Sequence, residues 1–279
     1  MNTRLTNLRS LMKKQKLDAV LITSVSNIIY ITEYNGFSPL EREAYLLVTK
    51  EKAFLIVSAL HIEEAKKEIK NVSVLERTAN HPFKEIIKYL VKKSKIKICG
   101  FESESLTYAE YNFISPLFAK FQSTELSDLR LIKTSKEINA IIKACKLGDE
   151  AYSQILKKVR IGMTEKEISL ELEWLIRKAG NDISFPPVVA FEEHAAVPHH
   201  NAGNRKLKNN NLVLLDFGVK AGNYCSDMTR VFFFGEATEE QKKVHETTVE
   251  AQQKAINYIE DMLAQKKNVI STTVDATAR

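Results

Sequence analysis

The sequence predicts an α/β or α+β protein in two domains, and three observations lead there. At 279 residues the chain exceeds one ordinary core. Its first 130 residues alternate short β-rich runs with helical patterns. From residue 135 the pattern changes to two long helical stretches, an irregular segment and a hairpin. The boundary falls at 128/129, giving domains 1–128 and 129–279, with residues 121–134 as the passage between them.

The elements follow in order. Leu5, Leu8, Leu11 and Met12 recur at helical spacing within residues 3–16. AVLIT from Ala19, YLLVT from Tyr45, FLIVS from Phe54, VSVLE from Val72 and IKICGF from Ile96 read as strands. Helical patterns cover 61–70, 82–94 and 107–120. The second and third strands form a hairpin around Lys50, Glu51 and Lys52, a turn without the usual Gly or Asn. In the second domain Ser135 caps a helix with Ile138, Ile141, Ile142 and Cys145 on one stripe, running to about Val159 and stopped by Gly162. Thr164, with Glu167 three residues later, spells a capping box for a helix ending near Gly180. An irregular stretch (183–211), a hairpin (212–234) and a helix (238–264) complete the pattern.

Composition narrows the function classes. Hydrophobic residues make 44% and charged residues 27%, the balance of a soluble globular protein rather than a disordered one. No stretch approaches 18 apolar residues, so no membrane span is expected. The first residues lack the apolar core of a secretory signal, which points to the cytoplasm. Cys99, Cys145 and Cys225 lie far apart, against a disulfide framework or a cysteine-based zinc site. The net charge of +6 belongs almost wholly to residues 1–130, with 20 basic against 15 acidic residues. That excess is neither dense nor interleaved with aromatics, so nucleic-acid binding is not expected.

The chemistry concentrates in residues 211–235, NLVLLDFGVKAGNYCSDMTRVFFFG. With a turn centred on Ala221 and Gly222, Asp216 faces Asp227 across the hairpin, about 5 Å apart at Cβ. Two carboxylates inside runs as apolar as LVLLDF and TRVFFF repel each other, and burying either one unpaired is costly. One carboxyl holds a proton, or Arg230 or a lysine turns in, or a metal bridges them. A surface hairpin with two solvated aspartates fits poorly with the apolar run before Asp216. The Asp-Phe-Gly spelling also occurs in kinases, but no glycine-rich loop or His-Arg-Asp loop precedes it. Metal ligation is the best account. Carboxylates alone suit manganese or magnesium, and added imidazole shifts the choice toward manganese, iron, cobalt or zinc. Just upstream, residues 184–207 bring together His194, His199 and His200, three of the chain's six histidines.

Pro198-His199, then a basic residue and a leucine, then Leu215-Asp216-Phe217-Gly218, then Tyr224 and Ser226-Asp227-Met228-Thr229-Arg230 resemble the pita-bread metallopeptidases. Within them the chain is most similar to Xaa-Pro aminopeptidases and Xaa-Pro dipeptidases (prolidases), whose two aspartates also stand 11 positions apart. The resemblance implies an N-terminal creatinase/prolidase-like domain with a mixed sheet, followed by a pita-bread α+β domain. It implies an exopeptidase acting on the bond before proline in a peptide or dipeptide, with two divalent cations. Mn2+ is expected first, and Co2+, Fe2+ and Zn2+ are alternatives. Asp216 would chelate one cation, Asp227 would bridge both, and Thr229 would orient a carboxylate. His199 would be the catalytic histidine, while His194 and His200 receive no role. A homodimer is implied for the full-length protein. The family's other ligands, a histidine and two glutamates, come later in the chain, yet no histidine follows Tyr258 here. The sequence therefore reads as cut in mid-domain, and the 279 residues alone are expected to be inactive. Two other readings are a pita-bread binding protein without activity and a creatinase-like hydrolase without metal. The presence of both aspartates argues against the second.

Overall fold

The β-rich runs of the first half assemble into one six-stranded mixed sheet whose central strands are apolar on both faces. The structure is a computed structural model and describes residues 3–279. Chain order in this half is α1 (Thr3–Lys14), β1 (Ala19–Ile22), α2 (Val25–Thr32), β2 (Ala44–Thr49), β3 (Ala53–Ser58), α3 (Ile62–Glu68) and β4 (Ser73–Arg77). It continues with α4 (Phe83–Lys93), β5 (Ile98–Phe101), α5 (Tyr108–Ile114), β6 (Lys120–Ser123) and α6 (Asp128–Leu131). The strand order is β4-β3-β2-β1-β5-β6; the β1–β2 and β2–β3 pairs are antiparallel and the others parallel. The period of two sends Val20 and Ile22 into one core, with Leu5, Leu8 and Met12 of α1. Ala19 and Leu21 enter the other, with Phe83, Ile87 and Leu90 of α4.

The structure refines several expectations. The β2–β3 turn manages without Gly or Asn because the Thr49 hydroxyl accepts from the amides of Glu51 and Lys52. Residues 25–32, rich in β-branched side chains and not assigned from sequence, form α2. Ser24 caps it, and the buried Glu102 carboxylate accepts from the amides of Thr23 and Ser24. The helical pattern over 107–120 ends at Ile114, because Pro116 can neither donate nor continue the turn, and the strand β6 begins at Lys120.

The chain divides into two units, Met1–Asn139 and Ala140–Arg279. The division lies inside α7 (Ser135–Leu156) rather than at residue 128/129. Residues 121–134 are not a bare passage, since they contain the end of β6, buried Leu126 and α6. Thr134, one residue before the expected Ser135, begins α7 in a reciprocal bond pair with Glu137.

The second unit continues with α8 (Glu165–Lys178), β7 (Asp182–Ile183), β8 (Val188–Phe191), β9 (Asn211–Phe217), β10 (Val219–Ala221), β11 (Tyr224–Cys225), β12 (Met228–Phe234), α9 (Glu239–Ala264) and α10 (Ser271–Ala278). Thr164 and Glu167 form the expected capping box of α8. One three-stranded sheet runs β12-β9-β8, the other β11-β10-β7. Val213, Leu215 and Phe217 of β9 pack with Val189 and Phe191 of β8 and with Ile168, Leu172 and Ile176 of α8. Asp216, between two of those buried positions, projects from the opposite face of the strand. Among the described residues no helix is long and apolar enough to cross a membrane.

Gly218 sits where β9 passes into β10, and a Cβ there would lie 1.9 Å from the Ser226 carbonyl oxygen. Gly218→Ala should therefore force the two hairpin arms apart at about 1–3 kcal/mol, the usual range for overpacking. Urea denaturation reads this directly, and a midpoint equal to wild type would show that the close approach is not a constraint.

Candidate active site

The hairpin delivers two carboxylates to one cavity. β9 pairs with β12 so that Asp216 faces Thr229 and Phe217 faces Met228; on its other side Val188 faces Asp216. Nearer the tip, Lys220 faces Cys225 and Ala221 faces Tyr224. The turn is thus Gly222-Asn223, with Gly222 in the left-handed region at φ 62°. The expected centre at Ala221-Gly222 is one residue too early, and the pairing is displaced by two, so Asp227 is not directly opposite Asp216. A displacement of two keeps the same face. Asp216 and Asp227 line one cavity of about 600 Å³ together with His199 and His200.

The electrostatics of that cavity are unbalanced. Asp216 is half-buried, and its Oδ1 has no hydrogen-bond partner. Burial first, and then the charge of Asp227, push its carboxyl above the ordinary aspartate range, while the Thr229 hydroxyl and His199 act in the other direction. Arg230 does not neutralise the pair: it is exposed, and its guanidinium donates to the Thr229 carbonyl oxygen at 2.9 Å. A buried carboxylate oxygen without a donor, beside a second carboxylate, fits a divalent cation, and two oxygen donors of this kind suit a hard or intermediate ion. Among the described residues no third His, Cys, Asp or Glu joins these two in a close three-ligand cluster.

The histidine loop is built around a residue that the sequence reading missed. His199 is exposed and left-handed, at φ 55°. His194 and His200 both turn toward the Glu165 carboxylate, at 2.8 Å to Oε1 and 3.0 Å to Oε2. Their rings lie 4.5 Å apart. Glu165 is wholly buried, yet its carboxyl stays below the ordinary range. Burial alone would raise it, but bonds from His200, the amides of Phe191 and Gly203, and His194 outweigh that. A signal was available: Glu165 lies on the same stripe of α8 as buried Ile168 and Leu172, where an acid has no place unless it is paired.

Similarity to known proteins agrees with this architecture. Residues 4–141 match the Creatinase/Prolidase N-terminal domain, and residues 139–276 match metallopeptidase family M24. The Xaa-Pro dipeptidase of Pyrococcus horikoshii is 32% identical over 287 residues, covering 100% of this chain and 76% of that protein. Among solved structures, an Xaa-Pro dipeptidase from Bacillus anthracis superposes with a TM-score of 0.83 at 30% identity, covering 91% of this chain and 70% of that one. An X-Pro aminopeptidase from Thermotoga maritima gives 0.80 at 30% identity, covering 90% and 70%. Two contiguous domain matches, a relative aligned along the whole chain and the shared pita-bread fold place this protein in metallopeptidase family M24.

Proposed function

We propose that this protein is a metal-dependent exopeptidase acting on the bond that precedes proline, as an Xaa-Pro dipeptidase or aminopeptidase. The observation that carries the reading is the donorless Oδ1 of Asp216 beside Asp227 in the cavity that His199 also lines. Asp216 and Asp227 would hold the cations, Mn2+ foremost, and Thr229 orients the Asp216 carboxylate through its hydroxyl. When bound, the cations would supply a water of lowered pKa and polarisation of the scissile carbonyl. His199, on the rim of the same cavity, donates a hydrogen bond to the substrate where negative charge develops at that carbonyl. Phe185, Pro186, Pro187 and Val188 give the cavity an apolar wall that suits a proline ring. The free thiols Cys99, Cys145 and Cys225 are consistent with a cytoplasmic setting, and the family resemblance supports a homodimer. Both are part of this proposal.

The raised Asp216 carboxyl sets the sign of a stability effect. A carboxyl whose pKa is raised by folding costs stability wherever it is ionised, and the cost disappears as pH falls below its folded pKa. In metal-free buffer at pH 7, Asp216→Asn should therefore melt at or above wild type, and the gap should close on acidification. Added Mn2+ should raise the midpoint of wild type and leave that of the variant where it was. A variant that melts below wild type without metal would show that the carboxylate is satisfied by the protein alone.

Two carboxylates are fewer donors than the roughly three protein ligands of a catalytic metal centre. In an assay of Xaa-Pro dipeptide hydrolysis with Mn2+, the 279 residues alone should show little or no turnover. Asp227→Asn should abolish any turnover that remains, and His199→Ala should cost it on the order of 10²-fold, the scale of losing a positioned donor. Robust Mn2+-stimulated cleavage by the 279 residues alone would contradict the ligand count.

A further inference from the structure

Glu165 carries four hydrogen bonds on one buried carboxylate. Oε1 accepts from the Phe191 amide at 2.9 Å and from His194 Nδ1 at 2.8 Å. Oε2 accepts from His200 Nε2 at 3.0 Å and from the Gly203 amide at 3.1 Å. The Phe191 amide stands at the end of β8, the Gly203 amide lies further along the loop between β8 and β9, and the two imidazoles stand between them. The carboxylate itself sits at the first residue of α8, where a negative charge is favoured by the helix dipole. Main-chain bonds fix the stretch around Gly203 further: Glu165 N donates to the Arg205 carbonyl at 3.1 Å and Lys166 N to the Gly203 carbonyl at 3.0 Å.

His199 makes no bond to Glu165, yet its course is set by these anchors. It lies between Pro198, whose φ is fixed by its ring, and His200, which is tethered. A non-glycine residue in the left-handed region persists only where its surroundings over-determine it. We propose that Glu165 is a positioning residue: by gathering Phe191, His194, His200 and Gly203 onto one carboxylate, it holds His199 at the rim of the aspartate cavity. This rests on the reading of that cavity as a metal site. A second metal centre at Glu165, His194 and His200 is the competing account, because their ligand atoms lie within 4.8 Å of one another. It fits less well. An ionised carboxylate offers about four acceptor positions, and hydrogen-bond donors at ordinary distances occupy all of them.

The test uses the 279-residue protein, isotope-labelled, and follows the His199 ring by NMR beside amide exchange. In Glu165→Gln the amides of Phe191 and Gly203 should exchange at least tenfold faster. The His199 ring signals should move to random-coil positions, while Ile168 and Leu172 keep their protection. Glu165→Asp, which keeps the charge on a shorter arm, should restore part of the His199 signature. Should Glu165→Gln fail to fold, His200→Asn removes one tether from a half-buried side chain and should shift His199 in the same direction. A His199 signature unchanged in the folded variants would overturn the proposal and leave Glu165 a structural bond only. Titration with Mn2+ separates the two readings, since paramagnetic broadening should reach Asp216 and Asp227 first. Broadening centred on His194 and His200 would replace the positioning role with a metal site. Absence of broadening at the aspartates in wild type would sink the metal reading and the role given to His199, whatever the variants do.

Discussion

Two like charges held on one face of a hairpin are the constraint around which the second unit is organised. The period of two along β9 buries Val213, Leu215 and Phe217 against α8 and β8, and so projects Asp216 toward the other side. The antiparallel return brings Asp227 to the same cavity. Nothing in the hairpin relieves the repulsion fully. Thr229 gives one hydroxyl, Arg230 turns to a backbone carbonyl, and one oxygen of Asp216 keeps no donor. With Asp216 half-buried and Asp227 exposed, the pair carries an electrostatic cost at Asp216 that a divalent cation would remove.

The rest of the unit reads as support for that arrangement. Gly218 admits the Ser226 carbonyl oxygen so closely that the two hairpin arms stay together beside Asp216 and Asp227. Ser226 reinforces the same point: its hydroxyl accepts from the Val219 amide at 3.0 Å. The first turn of α8 contributes from the other side through Glu165, whose carboxylate fastens the histidine loop to the same helix that packs on β9. Hairpin and loop therefore share one foundation, and the distance between the aspartates and His199 depends on packing as much as on the residues themselves.

Much of this was legible in the sequence because it depends on periodicity. The alternation in β9, the capping box at Thr164 and the strand runs of the first sheet emerge with small boundary errors. The pairing of Asp216 was misplaced because two adjacent small residues, Ala221 and Gly222, offer two possible turn centres. Only the preference of Gly222 for positive φ, which moves the tip to Gly222-Asn223, decides between them. Helix α2 went unassigned because a run rich in β-branched residues has weak helix propensity, and its start is fixed by the distant Glu102 carboxylate, which accepts from the amides of Thr23 and Ser24. Glu165 escaped for a related reason. It looks like an ordinary acid in a helix first turn, and its four partners lie 26 to 38 residues away in the chain.

The claim on which the account depends is that the cavity between Asp216 and Asp227 is where a divalent cation resides. Crystals grown with Mn2+, with data collected at the manganese absorption edge, would locate the ion by its anomalous scattering. The account predicts a peak within coordination distance of both Asp216 and Asp227, and none at Glu165. A peak among Glu165, His194 and His200, with the aspartates bare, would contradict it.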